Sequence, residues 1–284
     1  MPRNEEVFVG IQPLQQQAIA ILVFDIDGVV RDVGNSYRRA LADTVEQFTG
    51  AAYRPSQADI DQLKTEGVWN NDWEASEEMV YRYFATQGRS RTELDLSYAD
   101  LVDFFQRRYR GSDLDHPDRW DGYICQEPLL LEPFYLEQLT QAGMLWGFFS
   151  SATRGSAAYV LERRLGLTAP VLVAMEDAPG KPNPTGLLDA VQQLTVQHRL
   201  PALLPVVYAG DTVADMQTVQ QASQQDKTRT WIGVGILPPH AQTPLEYAIA
   251  YSDTLKQAGA VEVLKNVQEL TPETVRSLVE AGAA

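Results

Sequence analysis

Cysteine is nearly missing from this sequence. Cys125 stands alone, so no disulfide can form within the chain, and three scattered histidines do not make a Cys/His zinc site. A chain that does without disulfides suits a reducing compartment. Positive charge is also scarce: 23 Lys and Arg stand against 38 Asp and Glu, a formal net charge of −15. That balance excludes a broad nucleic-acid surface, which needs clustered Lys and Arg. An anionic substrate would have to be met by a local positive site or by a metal ion. No apolar run reaches the roughly 18 residues of a membrane-spanning helix, and "MPRNEEVFVGIQ" is acidic early and does not read as a secretory leader. The expectation is therefore a cytoplasmic enzyme or binding protein with neither a nucleic-acid nor a membrane partner, its oligomeric state left open. No internal repeat is present, and the glutamine clusters near 15–17 and 220–225 are too short to count as low complexity.

Long apolar runs are lacking, but five short ones occur, at 19–24, 144–149, 171–175, 205–209 and 231–236. Each is rich in Val, Ile, Leu or aromatics and bounded by Gly, Asp, Ser or Pro, the pattern of strands buried on both faces. Helical spacing lies between them: at 134–142, at 156–165 with Ala157, Val160, Leu161 and Leu165 on one face, and at 186–195. A last helix should start at Thr271 with Pro272 in its first turn. Strands alternating with helices predict an α/β fold, a Rossmann-like parallel sheet. The stretch from Ser36 to Cys125 breaks the alternation. "SYRRALADTVEQFTG", "SEEMVYRYFATQG" and "YADLVDFFQRRYRG" all have helical spacing and end near Gly, so residues 36–125 are expected to form an inserted α-helical cap domain. Residues 1–35 and 126–284 would form the core domain, with hinges at Gly34–Asn35 and at 122–128.

The first apolar run ends in an anomaly. "ILVFDIDGVV" sets Asp25 and Asp27 two positions apart at the end of a buried strand, where like charges raise each other's pKa and burial costs several kcal/mol unless compensated. In open α/β sheets, ligands bind at the carboxyl ends of the strands, and other runs end in polar residues too. Ser150, Ser151 and Arg154 follow the second. "EDAPGKPNP", with Lys181, follows the third, and "GDTVAD", with Asp211 and Asp215, follows the fourth. Two acidic clusters, a hydroxyl and a lysine suit Mg2+ and a phosphoryl group, since Mg2+ takes oxygen ligands and commonly binds one or two carboxylates plus substrate phosphate.

The order D-x-D-G, strand-Ser, Lys-Pro and G-D-x-x-x-D resembles the haloacid dehalogenase (HAD) superfamily, and a helical insertion between the first two motifs resembles its subfamily I with a C1 cap. The likeness covers roughly 19–35 and 126–270. It implies a HAD-like core and Mg2+ as cofactor. Asp25 would be the nucleophile forming an aspartyl-phosphate, and Asp27 the general acid and base. Ser150 would bind a phosphoryl oxygen, with Ser151 as a backbone donor, and Lys181 would neutralise charge. Asp25, the backbone carbonyl of Asp27 and Asp211 would hold the metal, with Asp215 a further ligand or a partner of one. Dehalogenases of this superfamily lack the second acid, and its phosphonate-cleaving branch has Ala there with a cap lysine. The presence of Asp27 therefore favours hydrolysis or transfer at a C–O–P linkage.

Plainer readings stand beside these. "DIDG" also opens calcium loops, but Val29 and Ser36 occupy positions that such a loop fills with acids. Asp211 and Asp215 could merely complement a helix dipole, and Arg154 could steer a phosphate or pair with a helix acid. In the cap, "GVWNNDW" offers Asn70 and Asn71 as substrate hydrogen-bonding groups and Trp69 or Trp73 as stacking faces; it could equally be a polar turn with its aromatics packed inward. One of Tyr37, Arg38 and Arg39 should face the cleft. The reading is a Mg2+-dependent phosphatase of a small phosphorylated metabolite. Its alternatives are a sugar-phosphate phosphomutase of the same fold and a low-turnover binding or regulatory protein.

Overall fold

A computed structural model describes residues 18–69, 71–200 and 203–282. The first apolar run forms β1 (Ala20–Phe24), with all five residues buried. Ala20, Leu22 and Phe24 enter one apolar cluster, while Ile21 and Val23 enter another. This is the two-residue alternation of a strand; because both faces are covered, the run has no polar side.

β1 lies between β2 (Met144–Phe149) and β4 (Val206–Gly210). Beyond them lie β3 (Leu172–Val173) on one flank and β5 (Trp231–Ile236) then β6 (Glu262–Leu264) on the other. Every pairing is parallel, in the order β3-β2-β1-β4-β5-β6. The chain runs outward from β1 through β2 to β3, then returns to β1's other side for β4. The order reverses between β1 and β4, so their carboxyl ends flank the crevice where such sheets bind ligands.

Between β1 and β2 the chain inserts α1 (Tyr37–Phe48), α2 (Gln57–Lys64), α3 (Asp72–Thr86) and α4 (Tyr98–Tyr109). These helices bury a core of their own around Leu41, Val45, Ile60, Met79 and Phe105. In the sheet layer, α5 (Pro133–Gln141), α6 (Arg154–Ala158) and α10 (Pro272–Gly282) cover the face carrying Leu22 and Phe24, through Leu136, Leu139, Ala157 and Val275. The opposite face packs on α7 (Thr185–Gln197) and α8 (Val213–Gln225), through Leu187, Val191, Leu194, Val219 and Ala222. α9 (Leu245–Gln257) lies beside β5 and β6. No helix among the described residues is long and apolar enough to cross a membrane.

Three differences from the sequence reading have local causes. The third strand is only two residues long, because the Asp177 carboxylate takes the Ala174 N–H at 2.7 Å and turns the chain. The helix expected over 156–165 starts earlier and continues past Ala158 as a wider turn, Tyr159–Arg164, in which the Leu165 N–H reaches the Val160 carbonyl. β6 was not expected, since three residues opening with Glu262 carry too little apolar pattern to be seen.

Leu22 is fully buried in the central strand. Leu22→Ala should destabilise the fold by about 2–5 kcal/mol, the range for truncating a buried leucine. Denaturant unfolding measures this; a loss under 1 kcal/mol would contradict the packing described here.

Candidate active site

The backbone ladder of β1 continues one step past Phe24, with the Asp25 N–H donating to the Ala209 carbonyl at 2.9 Å. A tight turn follows. The Val30 and Arg31 N–H groups both donate to the Ile26 carbonyl, and the Gly28 N–H to the Arg31 carbonyl. Gly28 sits at φ +78°, and a Cβ there would fall 2.1 Å from Asp211 Oδ2. Only glycine allows the turn to lie this close to the end of β4.

At the end of β4, Asp211 is followed by Thr212, which caps α8. The Asp215 N–H donates to Thr212 Oγ1, while the Thr212 N–H (2.9 Å) and hydroxyl (2.6 Å) both donate to Asp215 Oδ2. This capping box fixes Asp215 beneath the strand end. Its other oxygen, Oδ1, accepts from the Tyr208 hydroxyl at 2.9 Å and lies 2.6 Å from Lys181 Nζ. The same ammonium lies 2.8 Å from Asp25 Oδ1 and over the rings of Phe149 and Tyr208, 5.1 and 5.5 Å from their centroids. Ser150, directly after β2, accepts the Ala152 N–H on its hydroxyl oxygen at 3.1 Å, which holds that side chain at the strand end.

Asp25, Asp211 and Asp215 are buried, with one oxygen of each inside a group spanning no more than 4.8 Å. Burial, more than any neighbour, pushes the Asp25 carboxyl up to about 7; Lys181 pulls against this, while Asp215 and Asp27 add repulsion. Burial, then Asp215 and Asp25, holds Asp211 well above the carboxylate range. For Asp215, burial is outweighed by Lys181 and the Thr212 hydrogen bonds, and the group stays below that range. Burial likewise opposes charge on Lys181, but Asp215 and Asp25 outweigh it and hold the ammonium above the ordinary lysine range. Three carboxylates against one lysine leave the pocket short of positive charge. Converging buried oxygens of this kind fit a hard divalent cation.

A cavity of about 90 Å3 opens above this cluster. Asp25, Asp27, Ser150, Ser151, Lys181 and Asp211 line it from the sheet, with Tyr37, Arg38, Lys64 and Asp72 opposite. Thus the strand-end residues singled out in the sequence converge, apart from Arg154. That guanidinium turns to Asp177 and the Leu172 carbonyl and does not line the cavity, because an acid in the loop after β3 captures it. Asn71 is likewise spent locally, capping α3 through the Trp73 N–H at 3.0 Å. Asn70 lies outside the described residues. Trp69 and Trp73 pack on the helical insertion's core, and Arg39 stacks on Tyr123 at 4.3 Å.

The sequence reading missed Lys64 and Asp72, an ion pair at 2.6 Å that reaches the cavity from α2 and α3. It also missed Tyr208, Thr212 and Tyr251. Thr212 could have been found as the cap of a T-x-x-D box; a tyrosine inside the apolar "VVYAG" gave no such signal.

A six-stranded parallel sheet with carboxylates and a lysine gathered at its switch point defines an α/β enzyme core. A family model described as haloacid dehalogenase-like hydrolase matches residues 19–223, and the chain belongs to that family of hydrolases. It is 27% identical over 251 residues to an imidazoleglycerol-phosphate dehydratase of Phytophthora nicotianae; the match takes in 87% of this chain but spans about half (50%) of that relative's length. A phosphonoacetaldehyde hydrolase-like protein from Oleispira antarctica shares the fold at TM-score 0.65 and 15% identity, over 93% of this chain and 94% of that one. Phosphatase Tt82 from Thermococcus thioreducens does so at TM-score 0.56 and 23% identity, over 74% and 90%.

The raised Asp25 carboxyl has a consequence for stability. Its value in the fold, about 7, lies above its ordinary 3.8, so the folded state holds a proton that the unfolded chain has lost. That contribution is complete below about pH 4 and disappears as pH rises through about 7. In a chelating buffer the melting temperature should therefore fall between about pH 5 and pH 8, and Asp25→Asn should reduce the slope, the remainder coming from Glu127, which burial also pushes up to about 7. A chelated protein that grows more stable over this interval would contradict the electrostatics of the pocket.

Proposed function

We propose that this hydrolase is a Mg2+-dependent phosphatase of a small phosphorylated metabolite, acting in the cytoplasm through an aspartyl-phosphate on Asp25. The observation that carries the reading is the convergence of Asp25, Lys181, Asp211 and Asp215 at the switch point, beside Asp27 and Ser150. In this reading Asp25, Asp211 and the backbone carbonyl of Asp27 would hold Mg2+, with Asp215 beside them. When bound, the ion would supply positive charge beyond that of Lys181.

An Asp25 carboxylate oxygen attacks phosphorus, and the bond from phosphorus to the leaving oxygen breaks. Asp27 gives that oxygen its proton. A water then attacks phosphorus and passes its proton to Asp27; the bond to Asp25 breaks, and inorganic phosphate leaves. Ser150 and the Ser151 backbone bind phosphoryl oxygens, while Lys181, held between Asp25 and Asp215, offsets their charge.

We take residues 36–125 as the cap over a core of 1–35 and 126–284. The cap side of the cavity presents Tyr37, Arg38, Lys64 and Asp72. A space of about 90 Å3, walled opposite the sheet by these four side chains, supports a small leaving group. Asp27, where phosphonate-cleaving relatives have Ala, favours an oxygen leaving group that needs a proton.

The test is phosphate release from a panel of phosphorylated metabolites with and without Mg2+. Imidazoleglycerol phosphate is included because the Phytophthora nicotianae relative is named for it. Release should require Mg2+ and fall on the order of 10³-fold or more in Asp25→Asn, as when a nucleophile is removed. No release from any compound would overturn the phosphatase reading, and interconversion of phosphate esters without release would replace it with a mutase.

A further inference from the structure

Arg31 is fully buried, although it lies on the turn that carries the catalytic carboxylates. A guanidinium shut away from water persists only where its charge is met. Here two acids meet it, through hydrogen bonds from Nε and Nη1. Its Nε donates to Asp27 Oδ1 at 2.6 Å, and Nη2 lies 2.6 Å from the same oxygen. On its other edge, Nη1 donates to Glu127 Oε2 at 3.0 Å. The rings of Tyr37 and Tyr109 flank the guanidinium at 5.9 and 5.8 Å.

The second acid is anchored in turn. Glu127 is buried, and its Oε1 accepts from the Ser36 hydroxyl at 2.5 Å. Ser36 immediately precedes α1, where the chain enters the helical insertion, and Glu127 lies where it returns to the sheet. Backbone bonds hold the same assembly together: Asp32 N–H to the Pro128 carbonyl, and Leu130 N–H to the Val30 carbonyl. Arg31 therefore ties the Asp27 carboxylate to both crossings between cap helices and sheet. Asp27 keeps 26% side-chain exposure and lines the cavity, while one of its oxygens is gripped from behind.

A flat guanidinium is suited to this task. Its donors lie in a fixed fork, so binding Glu127 on one edge fixes the direction of the other. A structural ion pair would be complete with Glu127 alone; the second edge is aimed at the residue that must face the leaving oxygen.

We propose that Arg31 is a positioning residue for Asp27. Braced by Glu127 and Ser36, it holds the Asp27 carboxylate at the orientation from which a proton reaches the leaving oxygen. This rests on the phosphatase reading, in which Asp27 is the acid.

The experiment compares leaving groups in the presence of Mg2+. An alkyl phosphate needs protonation as it departs; 2,4-dinitrophenyl phosphate does not. Asp27→Asn, Arg31→Met, Arg31→Lys and Glu127→Gln are assayed on both, with melting temperatures as a check on folding. Arg31→Met should lower kcat/KM for the alkyl ester by about 10²-fold, at the lower end of what a misplaced general acid costs. It should lower kcat/KM for the dinitrophenyl ester only a few-fold, because kcat/KM ends at phosphoryl transfer and leaves out the later water step that both esters share. Arg31→Lys should recover part of the loss, and Glu127→Gln should show the same selectivity more weakly. If Arg31→Met does not fold, Arg31→Lys and Glu127→Gln decide by the same ratio. Equal losses on both esters, or none on either, would overturn the role of Arg31 when Asp27→Asn still discriminates between them. If Asp27→Asn itself does not discriminate, Asp27 is not the acid and the inference falls; if the unaltered protein releases no phosphate, the phosphatase reading falls and the inference falls with it.

Discussion

The structure is organised around a burial problem: three carboxylates, Asp25, Asp211 and Asp215, meet out of water with Lys181 between two of them. Isolated, each would be far too costly to keep charged at that depth. Several neighbouring features make sense as answers. Gly28 lacks the Cβ that would strike Asp211, so the turn can close over it. The capping box of Thr212 and Asp215 satisfies one carboxylate oxygen while Tyr208 and Lys181 take the other. The aromatic faces of Phe149 and Tyr208 lie under the ammonium, where a ring's negative face favours a cation. Even so, Asp25 and Asp211 remain pushed upward in pKa, and the pocket stays short of positive charge. That residual imbalance is the feature on which the proposed binding of a divalent ion rests.

Topology places this cluster. Because β1 is the central strand and the winding reverses between it and β4, the two acidic strand ends are neighbours although far apart in sequence. β2 on the other side brings Ser150 level with them. Parallel ladders join the strands, and alternation puts the even residues of β1 on one apolar face and the odd residues on the other. The helical insertion leaves from the end of β1 and returns near Glu127, so its cavity-facing residues sit above the same strand end.

A second buried network, Asp27–Arg31–Glu127–Ser36, stands next to the first and answers a different need. The first gathers charge at the strand ends. The second is directional in geometry, since a forked guanidinium lies between two acids. Their separation is instructive: Lys181 touches Asp25 and Asp215, Arg31 touches Asp27, and each cation serves its own carboxylates.

Five apolar runs were legible as strands because a doubly covered strand must be apolar throughout, and "MLWGFF" and "WIGVGI" have the limits the pattern gave. The clustering of Asp25, Asp27, Ser150, Lys181 and Asp211 was legible too, because each follows a strand and parallel strands end on one edge. Other features required the packed molecule. Arg154 has the same place after its strand as those residues, yet Asp177 draws it aside. Lys64 and Asp72 read as ordinary helix-end charges, and only the packing of α2 and α3 turns them into the cavity. Nothing near Arg31 announces Glu127, which joins it across the whole insertion. Apolar pattern marked five of the six strands and the polar groups at their ends, because burial dictates local pattern. Tertiary structure alone decided which of those groups meet, because a side chain's partner is set by the crossing of distant segments, which no local periodicity encodes.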